Sequence, residues 1–138
     1  MLFVDTSFFF ALASEEDPDH ERVREVFESL RGQNLPRLLL TTNHVVFETI
    51  RLTLRNSGRD LAAEVGAHLY SEKMARIHLA TFDEEKEAFA YLVKYRDQHY
   101  SPVDCLSFVV MEKLGIREAL TIDRDFTHRF IARPGPAR

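Results

Sequence analysis

The sequence predicts a three-layer α/β protein with a central, mostly parallel sheet of four to five strands. Short apolar runs alternate with segments of helical periodicity, and strands joined through helices pair in parallel with helices on both faces. A length of 138 residues suits a single domain. We therefore expect one domain over residues 1–133 and a flexible C-terminal tail over residues 134–138, which read Pro-Gly-Pro-Ala-Arg.

The predicted strands are short and apolar, which is typical of strands buried in a parallel sheet. They occupy residues 2–4, 38–40, 75–81 and 119–122, and residues 130–133 form a fifth strand with the weakest pattern. The third strand alternates, so Ile77 and Leu79 share one face.

Helices are predicted between the strands from apolar residues spaced three and four apart, bounded by capping residues and glycines. They cover residues 8–13, 18–31, 43–57, 61–69, 83–95 and 102–114. Asp17-Pro18 opens the second helix and Ser101-Pro102 opens the last. Either Thr42 or Asn43 caps the third. The last helix is apolar nearly all round, so we expect it to be buried.

The composition, with 45% hydrophobic and 29% charged residues, is that of an ordinary globular protein. No apolar run approaches the roughly 18 residues of a membrane span, and no signal peptide is recognisable, so we expect a cytoplasmic protein without membrane contact. The single cysteine, Cys105, is expected to be buried and reduced. A net charge of -4 disfavours nucleic-acid binding unless several acids are ligands of cations that face phosphate.

Acidic residues lie where a parallel sheet binds its ligands, just beyond the carboxyl ends of its strands. Asp5 ends the first predicted strand and Asp123 ends the fourth. Asp104 falls in the first turn of the apolar helix, where the positive end of the helix dipole favours its charged form. Glu48 lies on the third helix.

Two of these acids have a structural interpretation as helix caps. Asp104 can form a capping box with Ser101, which is a common arrangement. Asp5 can cap the first helix, but Ser7 can do the same, which leaves Asp5 without an evident structural role and favours a functional one.

The other two acids also have structural interpretations. Either Asp123 or Asp125 can cap a short helix that follows the fourth strand. Glu48 can belong to a solvated helix face together with Arg51 and Arg55.

The sequence lacks the residues that several other kinds of catalytic or binding site require. The sequence has no Gly-rich phosphate loop and no Cys or His pair at zinc spacing, and its six histidines are scattered. Thr6 and Ser7 follow a strand without the flanking glycines of a serine hydrolase. Covalent acyl chemistry is therefore not expected.

Four segments taken together resemble the PIN-domain family. The segments resemble the four motifs of that family in the same order along the chain. They are Leu-Phe-Val-Asp-Thr-Ser at residues 2–7, Thr-Asn-His-Val-Val-Phe-Glu at 42–48, Ser-Pro-Val-Asp at 101–104 and Leu-Thr-Ile-Asp-Arg-Asp-Phe at 120–126. They span almost the whole chain. The family often has small residues after the third acid, where this chain has Cys105 and Leu106, so the packing around Asp104 is expected to differ.

The resemblance implies an endoribonuclease that depends on Mg²⁺ or Mn²⁺, similar to the toxin of a VapBC toxin–antitoxin pair. Asp5, Glu48, Asp104 and Asp123 would meet as its catalytic and metal-binding acids. Packed carboxylates repel one another, so such a pocket needs cations, and an all-oxygen donor set favours these two. Asp5 and Asp104, then Asp123, are the expected direct ligands. Glu48 would bind through water or orient the attacking water.

Neighbouring residues receive supporting roles by the same resemblance. The hydroxyl of Thr6 or Ser7 would brace Asp5, and Asp125 is a reserve candidate for the fourth acid. Three arginines close in sequence to the acids are candidates for holding phosphates, although ordinary surface ion pairs would explain them equally well. They are Arg51, Arg55 and Arg124.

The resemblance also implies an RNA substrate, a homodimer and a small antitoxin partner. Two alternatives remain open. One is a non-catalytic PIN-like interaction module. The other is a different phosphoryl-transfer α/β protein, either an aspartyl-phosphate phosphatase or a receiver-like domain. The phosphatase fits poorly because position 7 is Ser rather than a second acid, and the receiver lacks both its acid pair after the first strand and its lysine after the last.

Overall fold

The structure, a computed structural model, describes residues 1–137. Its strands are β1 (Leu2–Val4), β2 (Leu39–Thr42), β3 (Arg76–His78), β4 (Glu118–Thr121) and β5 (Ile131–Pro134). They form one sheet in the order β3-β2-β1-β4-β5, and every neighbouring pair is parallel. The predicted α/β class and strand number are confirmed, including the weakly predicted fifth strand.

The helices lie between the strands and cover both faces of the sheet. They are α1 (Thr6–Ala13), α2 (His20–Leu30), α3 (Leu35–Leu38), α4 (Asn43–Ser57), α5 (Arg59–Tyr70), α6 (Phe82–Lys94), α7 (Pro102–Leu114) and a 3-10 helix (Arg124–His128). The chain passes from β1 to β2 and β3, then returns to β4 on the other side of β1. Because such connections are right-handed, α6 and α7 lie on the face opposite the helices that follow β1 and β2. The strand order reverses between β1 and β4, where open α/β sheets form their ligand sites.

Helix α7 is the deeply buried helix that its apolar sequence predicted. All of residues 104–111 are buried. Pro102 in the first turn and Gly115 at the left-handed C-cap (φ 70°) define its ends. Phe108 packs edge-on against Tyr100 and Phe126, with ring centroids 5.1 and 4.9 Å away. Asp104 therefore lies in the first turn of a helix that is packed in the core.

The second helix and the third strand differ from their predicted bounds because side chains bind the backbone there. Helix α2 begins two residues later than predicted, since Oδ1 of Asp17 accepts the N–H of Asp19 at 2.8 Å and holds a turn. Strand β3 ends before Leu79, since Oδ1 of Asn43 accepts the N–H of Ala80 at 3.0 Å. Leu79 is exposed as a result.

Two further differences concern segments beside strands. The short helix α3 was not predicted, and it delays β2 by one residue; Pro36 fits its first turn. The predicted tail boundary at residue 133 is wrong, because β5 includes Pro134 and the N–H of Gly135 donates to the carbonyl of Thr121 at 3.0 Å. Arg22 also donates to the carbonyl of Gly135 at 2.8 Å. Residues 134 and 135 therefore belong to the fold.

Within the described residues, no helix combines the length and the apolar character that crossing a membrane requires.

Candidate metal centre

The ends of β1 and β4 place Asp5 beside Thr121. The two strands pair Val4 with Leu120, and the N–H of Asp5 donates to the carbonyl of Leu120 at 3.1 Å. One residue further along, the hydroxyl of Thr121 donates to Oδ2 of Asp5 at 3.0 Å. The site therefore begins at the point where the strand order reverses.

Asp5 is also the N-cap of α1. Its Oδ2 accepts the hydroxyl of Ser7 at 2.9 Å and the N–H of Ser7 at 3.4 Å. The expectation that Ser7 would cap this helix and leave Asp5 free of a structural role was wrong. Ser7 rather than Thr6 braces Asp5, since the buried hydroxyl of Thr6 has no partner among residues 1–137. All these bonds reach Oδ2, and Oδ1 takes part in none of them.

Asp104 forms the predicted capping box with Ser101. Its Oδ2 accepts the N–H of Ser101 at 3.1 Å, while its own N–H donates to the hydroxyl of Ser101 at 3.0 Å. Asp104 as a whole is only 8% exposed. The structural interpretation of Asp104 is therefore correct, yet it accounts for only one of the two carboxylate oxygens.

Asp123 and Asp125 complete a group of three acids with Asp104. Oδ1 of Asp123 caps the 3-10 helix by accepting the N–H of Asp125 at 2.9 Å. One carboxylate oxygen from each of the three acids lies within 4.8 Å of those of the other two. Within residues 1–137, Asp5 and Glu48 are outside this group. The reserve candidate Asp125 is thus a full member, which the turn through Asp123-Arg124-Asp125 could have indicated.

The electrostatics of Asp104 show that the other acids are close to it. Burial raises the pKa of Asp104 to about 8, the charges of Asp5, Asp123 and Glu48 raise it as well, and the hydrogen bond from Ser101 opposes them. Four predicted acids therefore act on one another at one end of the sheet.

The pKa values of Asp5 and Asp123 are also raised. Burial raises the pKa of Asp5 to about 6, with the charge of Asp123 adding to it and the hydrogen bonds from Ser7 and Thr121 opposing it. Burial also raises the pKa of Asp123, although the N–H of Asp125 lowers it. Such a cluster gains stability from a nearby positive charge.

Glu48 is half-buried on α4 and lines a groove of about 780 Å³ together with Arg51. Within residues 1–137, neither Arg51 nor Arg55 forms an ion pair with Glu48. Both arginines and Arg124 are exposed.

The fold and this cluster define a class: an α/β protein with carboxylates gathered at the switch point of a parallel sheet, suited to holding divalent cations against phosphate. The chain belongs to the PIN-domain family, since the PIN domain matches residues 2–129.

The chain is similar throughout its length to known members of this family. It is 37% identical over 127 residues to the 23S rRNA-specific endonuclease VapC20 of Mycobacterium tuberculosis, in strains CDC 1551 and H37Rv, and the match covers 92% of each chain. The crystal structure of M. tuberculosis VapC20, described as a sarcin–ricin loop cleaving toxin, has a TM-score of 0.84 at 34% identity, covering 93% of this chain and 94% of that one.

These findings confirm the predicted family, its VapC-type resemblance and the enzyme class of nuclease. They set aside the aspartyl-phosphate alternatives. Divalent-metal chemistry is typical of PIN nucleases, and the acid cluster suits it.

Proposed function

We propose that this chain is an endoribonuclease that uses Mg²⁺ or Mn²⁺ to hydrolyse a phosphodiester bond in structured RNA. The observation that supports this most strongly is shared by Asp5, Asp104 and Asp123. In each, one carboxylate oxygen is held by a local N–H or hydroxyl of residues 1–137. These carboxylates are oriented before any cation arrives, which favours binding.

The donor set fits a hard cation. Asp104, Asp123 and Asp125 offer only carboxylate oxygens, and Asp5 lies beside them. We assign these four residues to holding the cation and Glu48 to orienting the attacking water. A bound cation would supply Lewis-acid chemistry at the attacking water and the leaving oxygen.

RNA is the proposed substrate because the relatives act on it. VapC20 is named as a 23S rRNA-specific endonuclease, and its structure as that of a sarcin–ricin loop cleaving toxin. We extend this substrate class, a structured loop of ribosomal RNA, to the present chain and place its action in the cytoplasm. The exposed Arg51, Arg55 and Arg124 are assigned to phosphate contacts, which would offset the net charge of -4 locally.

A homodimer and a small antitoxin partner are also proposed, by similarity to VapC toxins. Exposed apolar side chains support an interface, because Phe47, Leu79 and Phe89 are 69%, 72% and 66% exposed. Phe47 and Leu79 line the same groove. Exposed apolar patches of this kind mark interaction surfaces. Light scattering after size-exclusion chromatography tests the dimer, and a monomer at every concentration would contradict it.

The nuclease is tested with a synthetic RNA hairpin that carries the sarcin–ricin loop, and with total ribosomal RNA, in Mg²⁺, Mn²⁺ or chelator. We expect cleavage in either metal and none in chelator. Asp5→Asn and Asp104→Asn should abolish it, whereas Asp60→Asn, at an exposed position on α5, should not. Absence of both cleavage and Mn²⁺ binding by calorimetry would contradict the proposal and favour a non-catalytic interaction module.

A further inference from the structure

Tyr100 and His128 form a hydrogen-bonded pair beside the acids. The hydroxyl oxygen of Tyr100 lies 2.6 Å from Nδ1 of His128, and the two ring centroids are 5.8 Å apart. Burial raises the pKa of Tyr100, and the charge of Asp125 adds to that effect. Tyr100 directly precedes Ser101, whose N–H donates to Asp104, and His128 ends the 3-10 helix that Asp123 caps. The pair is therefore held next to the acid cluster.

One member of the pair is fixed and the other is accessible. Tyr100 is 8% exposed and packs edge-on against Phe108 of α7 at 5.1 Å between ring centroids, with Tyr91 at 6.1 Å. His128 is the exposed last residue of the 3-10 helix that Asp123 caps. The buried phenol therefore anchors an imidazole that solvent and substrate can reach.

The hydrogen bond determines which nitrogen of the imidazole faces outward. Within residues 1–137 the phenol oxygen has no partner other than Nδ1. We assign the hydroxyl as the donor, because its proton would otherwise have no acceptor among these residues. A neutral imidazole that accepts at Nδ1 carries its proton on Nε2. In the described residues no acceptor is bound to Nε2 of His128. The pair thus presents a single N–H donor to solvent.

We propose that Nε2–H of His128 donates a hydrogen bond to a non-bridging phosphate oxygen of the RNA, with Tyr100 as the positioning residue. This inference rests on the proposed nuclease function and adds a contact that the acids cannot make, because carboxylates repel phosphate while an N–H attracts it. No proton is transferred in this step. The contact holds the phosphodiester against the cluster.

The experiment measures kcat and KM on the sarcin–ricin hairpin for wild type, His128→Ala, Tyr100→Phe and the double variant, with His68→Ala on α5 as the matched exposed control. Loss of one hydrogen bond to a charged group predicts a decrease in kcat/KM of about tenfold to a hundredfold for His128→Ala. Tyr100→Phe should give a smaller decrease, and the double variant should be no worse than His128→Ala. Mn²⁺ affinity and Tm of His128→Ala should equal those of wild type.

Affinity for the hairpin is measured separately in the Asp5→Asn background, with and without His128→Ala. Weaker RNA binding with His128→Ala would support the phosphate contact even if the wild type cleaved no RNA. Missing cleavage by the wild type would contradict only the proposed nuclease activity. Normal kcat/KM and normal affinity in His128→Ala, beside an active wild type, would overturn the inference and leave the nuclease intact. Additive effects in the double variant would refute the positioning role of Tyr100. Absence of both cleavage and binding by wild type would overturn both proposals.

Discussion

The hydroxyl of Thr121, at the end of β4, donates a hydrogen bond of 3.0 Å to Oδ2 of Asp5, at the end of β1. The hydroxyl of Ser7 lies 3.1 Å from that of Thr121 and 2.9 Å from the same Oδ2. The two hydroxyls therefore lie in contact and both donate to the same oxygen of Asp5, which forms a small network of three side chains. The two hydroxyls orient Asp5 by holding its Oδ2.

Thr121→Val removes one donor of this network with little change in volume. We expect Mn²⁺ affinity and RNA cleavage to fall about tenfold, since groups that orient a ligand matter at this scale. Thr41→Val on β2 is the matched control, because its buried hydroxyl donates to the carbonyl of Val4 instead. Both variants should lose about 1 kcal/mol of stability, but only Thr121→Val should lose metal affinity. Equal losses of metal affinity in the two variants would contradict this assignment.

Asp104→Asn should separate stability from function. The amide oxygen can still accept the N–H of Ser101, whereas the charge that Asp5, Asp123 and Glu48 oppose is gone. We expect a higher Tm than wild type at pH 8 without metal, together with loss of Mn²⁺ binding in calorimetry. A lower Tm under these conditions would show that repulsion among the acids is not a source of instability.

The stability of the metal-free protein should fall as pH rises. Burial raises the pKa of Asp5 to about 6 and that of Asp104 to about 8, from 3.8. Between those values the folded state binds more protons than the unfolded state, so the free energy of unfolding decreases with pH. The stabilising effect is complete below about pH 4 and is lost as pH rises through 6 and 8.

Urea unfolding measured from pH 5 to pH 9, with chelator or with Mn²⁺, tests this pH dependence. Because the cation binds only the folded cluster, Mn²⁺ should restore stability most at high pH. A free energy of unfolding that stays constant with pH in chelator would contradict the raised pKa values.

Glu84 offers a contrast, since its buried carboxylate is paired. Burial raises its pKa, but hydrogen bonds from the backbone of Thr81 and from His78 and Lys113 outweigh that effect and hold the pKa at about 2. Its charge therefore stabilises the fold above the pKa of the unfolded chain, and that effect is lost as pH falls toward 2. Glu84→Gln should cost about 2 kcal/mol of stability at pH 7. Thermal unfolding measures this, and Mn²⁺ affinity should remain that of wild type.

The sequence was informative where local pattern and strand order determine position. Apolar runs located the strands that carry Asp5 and Thr121, and the apolar helix placed Asp104 at its first turn. Parallel connection then required these strand ends to share an edge of the sheet. The family motifs identified Glu48 as a candidate site residue. The pattern of its helix alone would have placed Glu48 on the solvated face.

The details that were missed depend on side chains bonding to the backbone. The sequence could not decide whether Asp5 or Ser7 caps the first helix, or whether Asp123 or Asp125 caps the 3-10 helix. In both cases several neighbouring residues can accept the same N–H. Membership of Asp125 in the cluster follows from the turn that Asp123 holds. The pairing of Tyr100 with His128 spans 28 positions and carries no local signal.

The bond between Asp5 and Thr121 joins positions 116 apart in the chain. Synthesis from the N-terminus delivers Asp5 and Glu48 early, yet β4 and the acid that follows it emerge only near the end. A nascent or truncated chain that lacks β4 therefore has an isolated Asp5 and no acid cluster. Contacts between residues so far apart in the sequence also form late in folding. The acid cluster can therefore assemble only when nearly the whole chain has been synthesised.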